Sequence, residues 1–196
     1  MKKYIFISIP RNASHTICKI LNQSKRDRST SQDIGICDNH ASSKILYKRY
    51  GEKEFINRFR FCFVRNPWAR CVSWYMYHKH KYPYNKYNFE SWIRAKMPHH
   101  WTMQNGTNYS KQSPLEQHIF ITDKNGNINI NFVGKIENFN EDMNKILEKL
   151  GANYINTNVK LNKSNHKEYK NYYNEDTKNI VANLLKRDIE LFKYEF

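Results

Sequence analysis

Two stretches of this chain read in the same way: an apolar strand, a tight polar turn, then a helix. The first runs from Tyr4 to Leu21 and holds the turn Pro10–Thr16; the second runs from Phe59 to Tyr75 and holds Arg65-Asn66-Pro67. A strand that is apolar on both faces belongs inside a parallel sheet with its faces covered by helices. Strands alternating with helices therefore predict an α/β fold around a central, mainly parallel β-sheet. In such sheets ligands bind beyond the carboxyl ends of the strands, where both polar turns fall. A helix beginning there offers unpaired N–H groups and the positive end of its dipole, which favours phosphate or sulfate. Two such turns predict a ligand with anionic groups at both ends.

The rest of the chain fits one P-loop-like domain over residues 1–196. After the strand at 4–9 the sequence predicts a helix from about Ser14 to Asn22 and a polar loop at 23–35. A short apolar segment, Ile34–Cys37, precedes helical periodicity over 41–58, carried by Ile45, Leu46, Tyr50, Phe55 and Ile56. Arg60–Val64 reads as the second strand. Asn66 is a good N-cap and Pro67 a good first helical residue, so a helix is predicted from Pro67 towards His80. A short helix is expected at Phe89–Lys96, inside an insertion at about 81–116 rich in Tyr, Trp, His, Lys and Asn. Gln117–Thr122 and Asn127–Ile130 flank Asp123-Lys124-Asn125-Gly126, a hairpin signal. A strand at Asn131–Ile136, a helix at Asn140–Leu150 closed by Gly151, and a helical region at Asn174–Phe192 complete the prediction.

Composition excludes several classes. No stretch approaches about 18 consecutive apolar residues, so no membrane span is expected, and the first ten residues lack the long apolar core of a secretion signal. The four cysteines, Cys18, Cys37, Cys62 and Cys71, form no CxxC pair, so they read as reduced, mostly buried thiols of a cytoplasmic protein rather than a zinc site. Basic residues outnumber acidic ones 33 to 18, a net charge of +15. That suits anionic cofactors, acidic glycans or nucleic acid. The basic residues are dispersed, however, and a skewed use of Lys, Asn, Ile and Tyr accounts for part of the charge. A non-catalytic polyanion or nucleic-acid binder is thus the alternative class, and nucleic acid is not the expected partner.

The first turn sits where a P-loop would sit but has neither its glycines nor its lysine. Arg11 supplies a fixed charge, Ser14 and Thr16 supply hydroxyls, and the backbone from Asn12 to Thr16 supplies N–H donors. No acidic strand end for magnesium follows, which argues against Mg-dependent nucleotide hydrolysis and, with the missing lysine, against a P-loop kinase. In the second turn Arg65 closes a buried strand, where a bare charge is costly unless it meets an anion. Arg70 and Ser73 lie three residues apart on one helix face.

These residues resemble the sulfotransferases that use 3′-phosphoadenosine 5′-phosphosulfate (PAPS), in particular the carbohydrate sulfotransferase branch. The likeness lies in Ile9–Thr16 and, most specifically, in Phe61–Ser73 with its FVRNPW core. It continues through Phe132–Asp142, Asn162–His166, Tyr172-Tyr173 and Asp188–Phe196. The resemblance implies a metal-independent transfer from PAPS to a hydroxyl of a carbohydrate or glycoconjugate, or of a small metabolite, leaving PAP. It implies that Arg11, Asn12, Ala13, Ser14, His15 and Thr16 hold the 5′-phosphosulfate. It further implies that Arg65 and Ser73 hold the 3′-phosphate, and that Asn162, Lys163 and Ser164 complete the cofactor site. The family often has lysine where Arg11 stands and a small or hydroxyl residue at His15, which leaves the role of His15 open. Transfer needs a base for the acceptor proton and a cation for the leaving phosphate. His40 is the favoured base and Arg11 the cation; Glu116 and histidines 78, 80, 99, 100 and 118 are rivals. The insertion at 81–116 is the expected acceptor surface.

Overall fold

The computed structural model describes residues 3–21, 35–38, 40–79, 87–97, 115–152 and 167–196. It divides into two compact units: residues 1–65 with 117–162, and residues 66–116 with 163–196.

The first unit is built on four parallel strands: β1 (Tyr4–Ile7), β2 (Gly35–Asp38), β3 (Phe59–Val64) and β4 (Phe132–Lys135). Their order in the sheet is β2-β1-β3-β4. The register sets Ile7 beside Asp38 on one side and Cys62 on the other, and Val64 beside Lys135. All four residues of β1 are buried, which is why the strand reads as a continuous apolar run rather than an alternation. Helices α1 (Ser14–Ile20) and α6 (Phe139–Leu150) contribute to one core with β1 and β3. On α6, Phe139, Met143, Ile146, Leu147 and Leu150 recur at helical spacing and are buried. The Phe63 and Phe139 rings stand 5.2 Å apart. Gly134 is required in β4, since a Cβ there would come within 2.7 Å of the Phe63 ring. Helix α6 ends as predicted at Gly151, in the left-handed region at φ 64°. The Gly151 and Ala152 N–H groups return to the carbonyls of Glu148 and Leu147, the pairing of a Schellman cap.

Two expectations for this unit change, and one segment without an assigned element becomes a strand. The helical stretch 41–58 is two helices, α2 (Ser43–Tyr50) and α3 (Glu52–Ile56), divided at Gly51 with φ 78°. The segment before His40 is a sheet strand, β2. The expected hairpin reduces to one antiparallel bridge, Thr122 with Ile128, around a turn in which Asp123 Oδ1 accepts from the Asn125 and Asn127 N–H groups. Ahead of it, His118–Phe120 is a 3-10 turn rather than a strand.

The second unit is helical: α4 (Pro67–Lys79), α5 (Phe89–Arg94), a 3-10 turn at Tyr169–Tyr172, α7 (Glu175–Leu184) and α8 (Lys186–Phe192). The predicted final helical region is therefore divided at Leu185. Its core is aromatic, with Trp68, Trp74, Tyr75, Phe89 and Trp92 buried. Phe196 sets its ring edge-on to those of Trp68 and Tyr173, at 5.4 and 5.5 Å. Among the described residues no helix is long and apolar enough to cross a membrane.

Candidate active site

The first polar turn leaves β1 at its carboxyl end. Arg11 and Ala13 both take left-handed backbone conformations, φ 67° and 55°. For residues with a Cβ this costs roughly 1–2 kcal/mol each, and such strain persists only where surrounding structure imposes it. Four bonds impose it here. The Asn12 N–H donates to the Ile9 carbonyl at 3.3 Å, and the Ser14 hydroxyl to the same carbonyl at 3.3 Å. The Asn12 side chain, 1% exposed, donates through Nδ2 to the Phe63 carbonyl at 2.7 Å and to Gln117 Oε1 at 2.8 Å. No side chain caps the start of α1, and its first turn holds no acidic residue. Ala13 thus supplies no side-chain acceptor to the N–H groups that open α1, and the helix's own first turn adds no carboxylate.

Gln117 is a site residue that sequence reasoning misses. It is fully buried. Besides accepting from Asn12, its Oε1 accepts from the Arg65 N–H at 2.9 Å, and its Nε2 donates to the Arg65 carbonyl at 2.8 Å. One side-chain amide therefore fixes both the polar turn after β1 and the backbone at the end of β3. No short motif could flag it, since its partners lie 52 and 105 residues away.

His40 follows β2 by two residues, is half-buried, and has a left-handed backbone at φ 61°. Its Nδ1 lies 2.7 Å from the Ser8 carbonyl and 3.2 Å from the Ser8 hydroxyl, just beyond the carboxyl end of β1. In the tautomer that donates from Nδ1 to the carbonyl, Nε2 is the basic nitrogen. His40 is thereby anchored to the same chain segment, Ser8–Ile9, that leads into the Arg11 turn.

The other expected site residues divide by location. Arg11 and Ala13 are half-buried, His15 exposed, and Ser14 and Thr16 buried. The Arg65 side chain is half-buried at the end of β3. Within the second unit, Asn66 caps α4 as predicted: its Oδ1 accepts from the Trp68 and Ala69 N–H groups, and its Nδ2 donates to the Glu195 carbonyl. Ser73 is buried on α4. Arg70 is also buried and donates to the Leu115 carbonyl at 2.6 Å, a structural bond to the backbone. His118 is buried in its 3-10 turn, and Glu116 is half-buried. Asn162, Lys163, Ser164, His80, His99, His100 and most of the 81–116 insertion lie outside the described residues, as does the side chain of His78.

With this arrangement in place, comparison with known proteins defines the class. The sequence matches the profile of the sulfotransferase family over residues 2–195. The chain belongs to the sulfotransferase family, whose shared chemistry is sulfuryl transfer. It is also 33% identical over 108 residues to an uncharacterized protein of Archaeoglobus fulgidus, covering 55% of this chain and 79% of that relative. No solved structure matches.

Proposed function

We propose that this protein is a PAPS-dependent sulfotransferase acting on a hydroxyl of a carbohydrate or glycoconjugate, with residues 1–196 serving as one sulfotransferase domain. The observation that carries the reading is the family match, which spans both polar turns and continues to residue 195. PAPS, when bound, supplies the sulfuryl group and departs as PAP. The residues after β1 suit its phosphosulfate end: a fixed cation at Arg11, an uncapped helix start, and no acidic side chain in the first turn of α1.

In this reading Arg11 and the backbone from Ala13 to Thr16 hold the 5′ end, and Arg11 offsets charge on the departing phosphate. Asn12 acts differently from its neighbours, since its side chain braces the turn from behind. Arg65 and Ser73 bind the 3′-phosphate, with Asn162, Lys163 and Ser164 completing the cofactor site. His40 removes the acceptor's proton through Nε2, oriented by Nδ1 on Ser8. The 81–116 insertion contacts the acceptor.

Incubation with PAPS and a panel of hydroxyl acceptors, with PAP release and product mass as readouts, tests this. The expected result is acceptor-dependent PAP formation with a sulfated carbohydrate, lost in Arg11→Ala. Sulfation confined to small metabolites would overturn the carbohydrate assignment, and absence of PAP formation with every acceptor would count against the reaction itself.

A further inference from the structure

We infer that Cys18 and Cys37 are a dithiol that closes to an intramolecular disulfide, joining α1 to β2. All four cysteines are in the thiol form, but they fall into two pairs with different surroundings. Cys62 and Cys71 are fully buried. Burial raises the thiol pKa of both, that of Cys71 to about 12, which withdraws the reactive thiolate. The Sγ atoms of Cys18 and Cys37, by contrast, stand 2.6 Å apart. Ordinary contacts between heavy atoms lie at roughly 3.5–4 Å, and a disulfide bond spans about 2.0 Å, so the pair is already most of the way to bonding distance. Cys37 is half-buried and can meet a small oxidant, whereas Cys18 is 2% exposed and is positioned to resolve.

The step requires a disulfide-class oxidant such as oxidised glutathione. The Cys37 thiolate attacks one sulfur of the oxidant and expels one small thiolate. The Cys18 thiolate then attacks Cys37 Sγ and expels the second. One protein S–S bond forms and one small-molecule S–S bond breaks. The two cysteines lose two electrons, and their two protons end on the two released thiols. The new bond would tie the helix that carries Ser14 and Thr16 to the strand that leads to His40. The inference does not depend on the sulfotransferase reading.

The test uses the folded 196-residue chain, treated with oxidised glutathione, quenched with an alkylating reagent and analysed by intact mass and peptide mapping. The expected product has lost the mass of two hydrogens, retains two alkylatable thiols once unfolded, and yields a Cys18–Cys37 linked peptide. Its thermal midpoint falls when dithiothreitol is added, since a bridge between these positions restricts the unfolded chain. Cys18→Ser should instead accumulate glutathione on Cys37. Four alkylatable thiols after oxidation, a stable glutathione adduct on wild type, or a linked peptide joining any other cysteines would overturn the inference.

Discussion

Ala13 and Asn66 each stand directly ahead of a helix that follows a sheet strand, and the two positions are built in opposite ways. Ala13 sits in the left-handed region and gives α1 no side-chain cap. Asn66 accepts from two N–H groups of α4, and Pro67 removes a third donor from the count. The first helix start therefore receives no side-chain cap from its N-cap residue, whereas the second is capped by its own. In the proposed cofactor site this separates two kinds of grip. The 5′-phosphosulfate is assigned to backbone plus Arg11, and the 3′-phosphate to the side chains of Arg65 and Ser73. Strain marks the first turn and capping the second, and the strained turn is the one assigned to the proposed chemistry.

The largest effect expected from testing this contrast is at His40. His40→Ala should lower turnover by about 10²–10⁴-fold, the usual contribution of a general base, while PAP affinity measured by titration stays near that of wild type. Loss of PAP binding in parallel would mean that His40 belongs to the cradle instead. Next is Gln117, whose amide serves both the Asn12 turn and the Arg65 backbone. Gln117→Leu orphans buried polar groups at a cost of roughly 1–3 kcal/mol each, so chemical denaturation should show a loss of at least that size, together with weakened PAP binding. Gln117→Glu should destabilise as well, since it sets a carboxylate oxygen against the Arg65 carbonyl at a fully buried position. The two helix starts then separate in stability. Asn66→Ala should cost about 1 kcal/mol through loss of its cap. Ala13→Gly should change stability least, because relief of the left-handed strain is offset by the freer unfolded chain. If Ala13→Gly destabilised as much as Asn66→Ala, the contrast between a strained and a capped start would be wrong.

What sequence could reveal follows the range of the interaction concerned. The Asn66-Pro67 start of α4 and the Gly151 end of α6 are written in adjacent residues, and both appear where expected. The strand β1 and the Phe61–Val64 part of β3 announce themselves because burial on both faces demands an unbroken apolar run. The break at Gly51 was in view as a glycine, yet the apolar spacing runs across it and conceals the division into α2 and α3. Gln117–Thr122 has strand-like composition, but its geometry follows from Gln117 being committed to Arg65 and Asn12, which no local pattern encodes. The site shows the same limit. Arg11 and Arg65 are legible as charges at strand ends, whereas Gln117 and the Cys18–Cys37 contact arise only when distant segments meet.

Isothermal titration of PAP into wild type and Arg65→Ala, with ATP as a control, tests the central claim most directly. The account predicts PAP binding by wild type, an affinity loss of at least about 100-fold in Arg65→Ala from removal of a charge-assisted grip on phosphate, and weak binding of ATP. A folded wild-type protein that does not bind PAP, or an Arg65→Ala variant that binds it as tightly as wild type, would contradict it.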